Sequence, residues 1–138
     1  LYALTNNIEK AREQFGLAVA KKPDYTDALI QDALLLEREG DTQGAISKLE
    51  SLVVNYPFST EIIFQMGRLY FNNNQITLAI EQFKRVIILL PDHSNALYSL
   101  GVAYAAKGEK NLAIEEFEKV LKLNPGNQDV IDKLEQLK

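Results

Sequence analysis

The four prolines of the chain, Pro23, Pro57, Pro91 and Pro125, are separated by 34, 34 and 34 residues. An internal repeat of this length constrains a fold more than any single motif does. Each unit is too small to bury its apolar face alone and must stack on its neighbours. Other positions keep the same phase. Ala11, Ala45, Ala79 and Ala113 form one column, and Phe15, Leu49, Phe83 and Phe117 form another. Asn6, Gly40, Asn74 and Gly108 form a third. Ala33, Gly67 and Gly101 are a column of small residues; Tyr2, Leu36, Tyr70 and Tyr104 are a column of large ones.

Each column has a physical meaning. Gly and Asn best tolerate a left-handed backbone, so Asn6, Gly40, Asn74 and Gly108 predict helix C-terminal stops. Each proline predicts a second stop, because its ring cannot continue a helix. Thr26, Thr60 and Ser94 lie just beyond three prolines and are the expected N-caps, with Asp27 and Glu61 in the first turn. The pattern predicts helices over 7–22, 26–39, 42–55, 60–73, 76–90, 94–107, 110–124 and 128–138. Gly in mid-helix costs about 1 kcal/mol relative to Ala. Gly67 and Gly101 therefore imply close approach of the paired helix, with the alanine column as the expected matching half.

Hydrophobic spacing is helical throughout, and no strand-like alternation occurs. The expected class is all-α, an α-solenoid of antiparallel helix pairs. Its phase divides 1–138 into a partial first repeat over 1–25, repeats over 26–59, 60–93 and 94–127, and a capping helix over 128–138. The segment Leu97, Leu100, Gly101 and Tyr104, followed by Ala113, Phe117, Val120 and Pro125, resembles the signature of the tetratricopeptide repeat. Ile63, Met66, Gly67, Tyr70, Ala79, Phe83, Val86 and Pro91 resemble it as well. The resemblance covers nearly the whole chain and implies a right-handed superhelix. One repeat departs from it: Asp32 stands in the column of Met66 and Leu100, where a carboxylate needs a donor or solvent.

The ends differ. In the last helix, Val130, Ile131, Leu134 and Leu137 share one face, while Glu135 and Lys138 replace the small and large residues of the repeat, as a solvating cap requires. At the other end the first repeat has lost most of its first helix, of which a remnant ends near Asn6. The apolar flank beside Phe15 is expected to be exposed and to favour self-association. The start at Leu1, with no initiator Met and no basic signal sequence, reads as a piece of a longer chain.

Composition narrows the function. No Cys is present, so disulfides, thiolate metal sites and a cysteine nucleophile are excluded. One His leaves no multi-histidine metal site. Fifteen basic and 19 acidic residues give a net charge of −4, against a nucleic-acid partner, which needs a basic face. The longest apolar run, Val86 to Leu90, is far short of a bilayer span. Asp92, His93 and Ser94 have the residue types of a triad, but neighbours at a turn do not converge on one point. Glu115, Glu116 and Glu118 beside Lys119 and Lys122 read as a solvated face. No catalytic group, cofactor or metal is expected.

What remains is a second stripe on each first helix, next to the core columns. It holds Asp27, Ile30, Leu34 and Glu37, then Glu61, Phe64, Arg68 and Phe71, then Asn95, Tyr98, Val102 and Ala105. The resemblance implies that these helices line a concave surface that holds peptides. The expected partner-binding residues are Ile30, Leu34, Glu61, Phe64, Arg68, Phe71, Tyr98 and Val102. The competing reading is that the aromatic residues only pack on the next repeat. Arg68 either reads a ligand carboxylate or pairs internally with Glu61 or Glu37. Chaperone-binding members of the family hold a terminal carboxylate with a Lys- and Asn-rich clamp. Here those helices carry Ile30, Leu34, Glu61, Phe64, Gln65 and Arg68, which is not that pattern. An apolar helix, or an extended peptide with a basic feature, suits this stripe better. The alternative function is a spacer or self-association tail of a larger bacterial protein, with any membrane anchor outside these residues.

Overall fold

A computed structural model describes residues 23–138, with side chains from residue 26 onward. The helix expected over 7–22, the stop at Asn6 and the flank beside Phe15 lie outside the described residues. Among the described residues there are seven α-helices and no strand. They are α1 (Pro23–Arg38), α2 (Thr42–Asn55), α3 (Thr60–Asn72), α4 (Ile76–Leu89), α5 (Ser94–Ala106), α6 (Lys110–Leu123) and α7 (Gln128–Leu137). The chain divides into two compact units at Asn55/Tyr56. In the first, α1 packs on α2; in the second, α3 to α7 pack in chain order.

The helix pairs reverse through one device used three times. Gly40, Asn74 and Gly108 adopt φ of +90°, +64° and +88°. At Asn74 the N–H donates to the Phe71 carbonyl, and the next N–H, of Gln75, donates back to Tyr70 at 2.8 Å. Asp41 to Leu36 and Glu109 to Tyr104 repeat this crossed pair at 2.8 and 2.9 Å. These bonds satisfy carbonyls that the helix end would leave open.

The proline turns work differently from the expectation. Ser59, His93 and Asn127 each donate an N–H to the carbonyl three residues earlier, closing β-turns with Pro57, Pro91 and Pro125 at the second position. The side chains of the same three residues then cap the next helix. Ser59 Oγ accepts from Ile62 N at 3.3 Å, His93 Nδ1 from Ala96 N at 3.0 Å, and Asn127 Oδ1 from Val130 N at 3.2 Å. The caps are therefore Ser59 and His93, not Thr60 and Ser94, because the residue that ends the proline turn is also the last one before the helix. Thr26 is not a cap either. It lies inside α1 (Pro23–Arg38).

Within each hairpin the core is built by a fixed pairing of columns. A methyl group on Gly67 would lie 2.6 Å from Phe83 Cε1, and one on Gly101 2.7 Å from Phe117 Cε1. The glycine column is thus filled by the phenylalanine ring of the second helix, not by the alanine column. Ala79 and Ala113 are fully buried in the same interface. The equivalent pair in the first unit is Ala33 and Leu49, both fully buried, where a smaller side chain leaves room for a Cβ.

The same sixteen-residue offset explains Asp32. Its carboxylate is 2.9 Å from Lys48 Nζ. The second unit carries Met66 with Gln82 and Leu100 with Glu116 at these positions. Two departures from the pattern, one on each helix, compensate each other. In the second unit Glu116 corrects a reading from the sequence. It is 6% exposed and not on a solvated face, with Lys119 Nζ 3.4 Å from its carboxylate. It occupies the column of Lys48 and Gln82, which faces the first helix of its own pair.

Candidate functional site

The side chains of the second stripe in the second unit come from α3 and α5. The proline turns and caps set where these helices start, and their pairing with α4 and α6 sets which face is left over. Phe64 lies against Phe83, with ring centroids 5.7 Å apart, and against the His93 ring at 5.4 Å. Tyr98, one period later, lies against Phe117 at 5.8 Å. Both rings are half-buried. Packing and exposure coexist in one side chain: the inner edge seats on the core phenylalanine and the outer edge faces solvent.

Arg68, Phe71, Phe83, Tyr98, Ser99 and Val102 line an open recess of about 170 Å³. Four of the expected partner-binding residues meet there, with Phe83 contributing from α4. A second recess of about 150 Å³ is lined by Val102, Ala105, Phe117, Lys133, Gln136 and Leu137. Its first five residues are those of the first recess shifted by one period, Tyr98 excepted. The groove is thus a repeated feature of the stack, apolar at its floor in both places.

Polar groups edge the first recess. Arg68 Nε donates to Gln65 Oε1 at 2.8 Å, and Gln65 Nε2 donates to Glu61 Oε2 at 2.9 Å. Arg68 is therefore linked to Glu61 through Gln65. Toward the C-terminus, Tyr98 Oη donates to Asp129 Oδ2 of α7 at 2.7 Å. Lys133 Nζ lies 5.8 Å from the Tyr98 ring centre and 3.8 Å from Asp129. Burial, then the hydrogen bond and negative charge of Asp129, push the Tyr98 phenol up to about 12.

The remaining expected residues divide. Glu61 is exposed at the N-terminal end of α3. In the first unit Leu34 is half-buried, but Ile30 is 1% exposed and belongs to the core, a correction. Ile30 holds the position of Phe64 and Tyr98. A short branched side chain ends where the aromatic rings continue outward, so nothing is left to present. Phe83 and Ser99 are recess residues that the stripe did not include. Phe83 stands in the Leu49, Phe83 and Phe117 column of the second helices, outside the stripe, and Ser99 lies one residue from it. Among the described residues no group of His, Asp or Glu could hold a metal ion. His93 serves as a cap and a ring contact. No helix among them is long and apolar enough to cross a membrane.

Paired helices repeated in register, with a groove recurring at the same period, define a helical-repeat protein. The tetratricopeptide-repeat family model matches residues 2–60 and 64–128, and the chain belongs to that family. Solved structures share the fold. MamA is 23% identical with a TM-score of 0.78, over 99% of this chain and 84% of that one. The first such domain of Spaghetti (RPAP3), bound to an HSP90 peptide, is 19% identical with a TM-score of 0.75, over 80% and 87%. The Yersinia enterocolitica type III secretion chaperone SycD, in complex with a peptide of the translocator YopD, is 16% identical with a TM-score of 0.76, over 83% and 92%. No curated protein sequence matches the chain.

Proposed function

We propose that the chain is a non-catalytic protein-interaction scaffold that holds a peptide or partner helix along the groove of α3 and α5. The observation that carries this reading is the recess at Phe71, Tyr98 and Val102, recurring one period later, in a helix face that a solvated surface would fill with polar residues. Successive recesses at a fixed period suit apolar side chains at regular spacing on the ligand. Tyr98 and Phe71 are anchors of the kind that dominate interfaces. RPAP3 and SycD, of the same fold, are seen with bound peptides. The Glu61–Gln65–Arg68 network would orient polar groups of the ligand at the edge.

The test is selection of binding peptides from a random library, followed by Phe71→Ala and Val102→Lys variants. Both side chains edge the recess and neither forms one of the ring pairs on Phe83 or Phe117, so the helical CD signal should be unchanged. Selected peptides should lose about tenfold or more in affinity, as expected for removing a buried anchor. Peptides that bind both variants as well as the wild type would place binding elsewhere.

A further inference from the structure

A different surface carries another apolar recess. The Pro57–Phe58 turn and the end of α4 enclose a recess of about 200 Å³ lined by Pro57, Phe58, Arg85, Ile88 and Leu89. Phe58 and Ile88 are each 78% exposed and share one recess, so their apolar surface forms a patch. The repeat itself shows that the fold does not need them. One period later the same two positions hold Asp92 and Lys122, and the turn and helix there are unchanged. Helical spacing places Lys84 and Arg85 one turn before Ile88 on the exposed face of α4. Arg85 donates to Gln82 Oε1 at 3.1 Å, and among the described residues no carboxylate pairs with Lys84 or Arg85. An apolar recess lined by Arg85, with exposed Lys84 one turn from Ile88 and neither cation in an ion pair among the described residues, is complementary to an apolar anchor flanked by carboxylates.

We propose that this corner docks an acidic amphipathic helix of a partner protein, its Leu or Phe anchor between Phe58 and Ile88 and its carboxylates on Lys84 and Arg85. The site is separate from the groove, so one chain can hold two partners. The probe is a short fluorescein-labelled synthetic helix with Leu and Phe at i, i+3, i+4 and i+7 and Glu elsewhere. A control probe carries Lys in place of Glu. Fluorescence anisotropy should show the acidic probe binding, at least about tenfold tighter than the control, and more weakly as salt is raised. The double variant Phe58→Asp/Ile88→Lys installs the residues of the next repeat and should fold, with affinity down about tenfold or more. Arg85→Glu, which leaves the apolar residues in place, should weaken the acidic probe and not the lysine one. Equal binding of both probes, unchanged affinity in the double variant, or loss of binding through Phe71→Ala would overturn the proposal. So would sedimentation showing a wild-type dimer that the double variant dissolves, which would assign the corner to a second copy of the chain.

Discussion

Phe83 occupies the space where Gly67 would carry a Cβ: a methyl group there would lie 2.6 Å from Cε1 of the ring. The ring is 2% exposed, so a shift of it disturbs the packing around it. One period later Phe117 stands in the same relation to Gly101. This contact sets how closely α3 approaches α4.

Gly67→Ala should therefore destabilise the protein although Ala is the better helix former. Overpacking of this kind costs about 1–3 kcal/mol and helix propensity offsets about 1, for a net loss of about 1 kcal/mol in urea denaturation. Adding Phe83→Leu recreates the Ala33–Leu49 combination. The double variant should be more stable than the sum of the single effects by at least about 0.5 kcal/mol.

Asp32 and Lys48 should behave as a compensating pair. With side chains 19% and 47% exposed, the ion pair is partly screened by solvent and worth about 0.5–1 kcal/mol. Lys48→Ala should cost about that much, less at high salt. Asp32→Met with Lys48→Gln, the combination of Met66 and Gln82, should be neutral or stabilising by thermal melting, since well-packed residues often replace such pairs without loss.

The Tyr98 phenol, pushed up to about 12, makes an alkaline prediction. The folded state holds this proton more tightly than the unfolded chain, whose tyrosines release it near 10. The stabilisation is fully present below pH 10 and is lost as pH rises toward 12. Melting temperature should fall over that window, and the fall should be shallower in Tyr98→Phe. At neutral pH the same variant loses the bond to Asp129, at about 1 kcal/mol.

His93 both caps α5 and lies against Phe64, and substitutions can separate the two roles. His93→Ala removes both and should cost about 1 kcal/mol or more. His93→Asn installs the cap used at Asn127 and should recover most of that loss, leaving only the ring contact missing. Chemical denaturation of the two variants measures the difference.

Several elements were legible from the residues because they are local. A left-handed φ at Gly40, Asn74 and Gly108, and a helix that cannot run through Pro57, Pro91 or Pro125, follow from backbone sterics alone. The caps were displaced by one residue because the cap is whichever residue ends the proline turn, a matter of turn length. Lys48 as the partner of Asp32 was present in the sequence as an offset of sixteen, the offset that also joins Gly67 to Phe83. The offset has no meaning until two helices are known to cross there.

The 34-residue period by itself determined the class of fold, the place of each described helix to within a few residues and the columns that face the core. Periodicity reports which residues share a face, and sharing a face is a property of one helix. Tertiary structure alone decided how far each side chain on that face stays exposed. Ile30 ends inside the core where Phe64 and Tyr98 reach past it, and Glu116 is buried where neighbouring glutamates are solvated. Exposure depends on the distance to the next helix and the length of the side chain between them, and neither is a property of one helix taken alone.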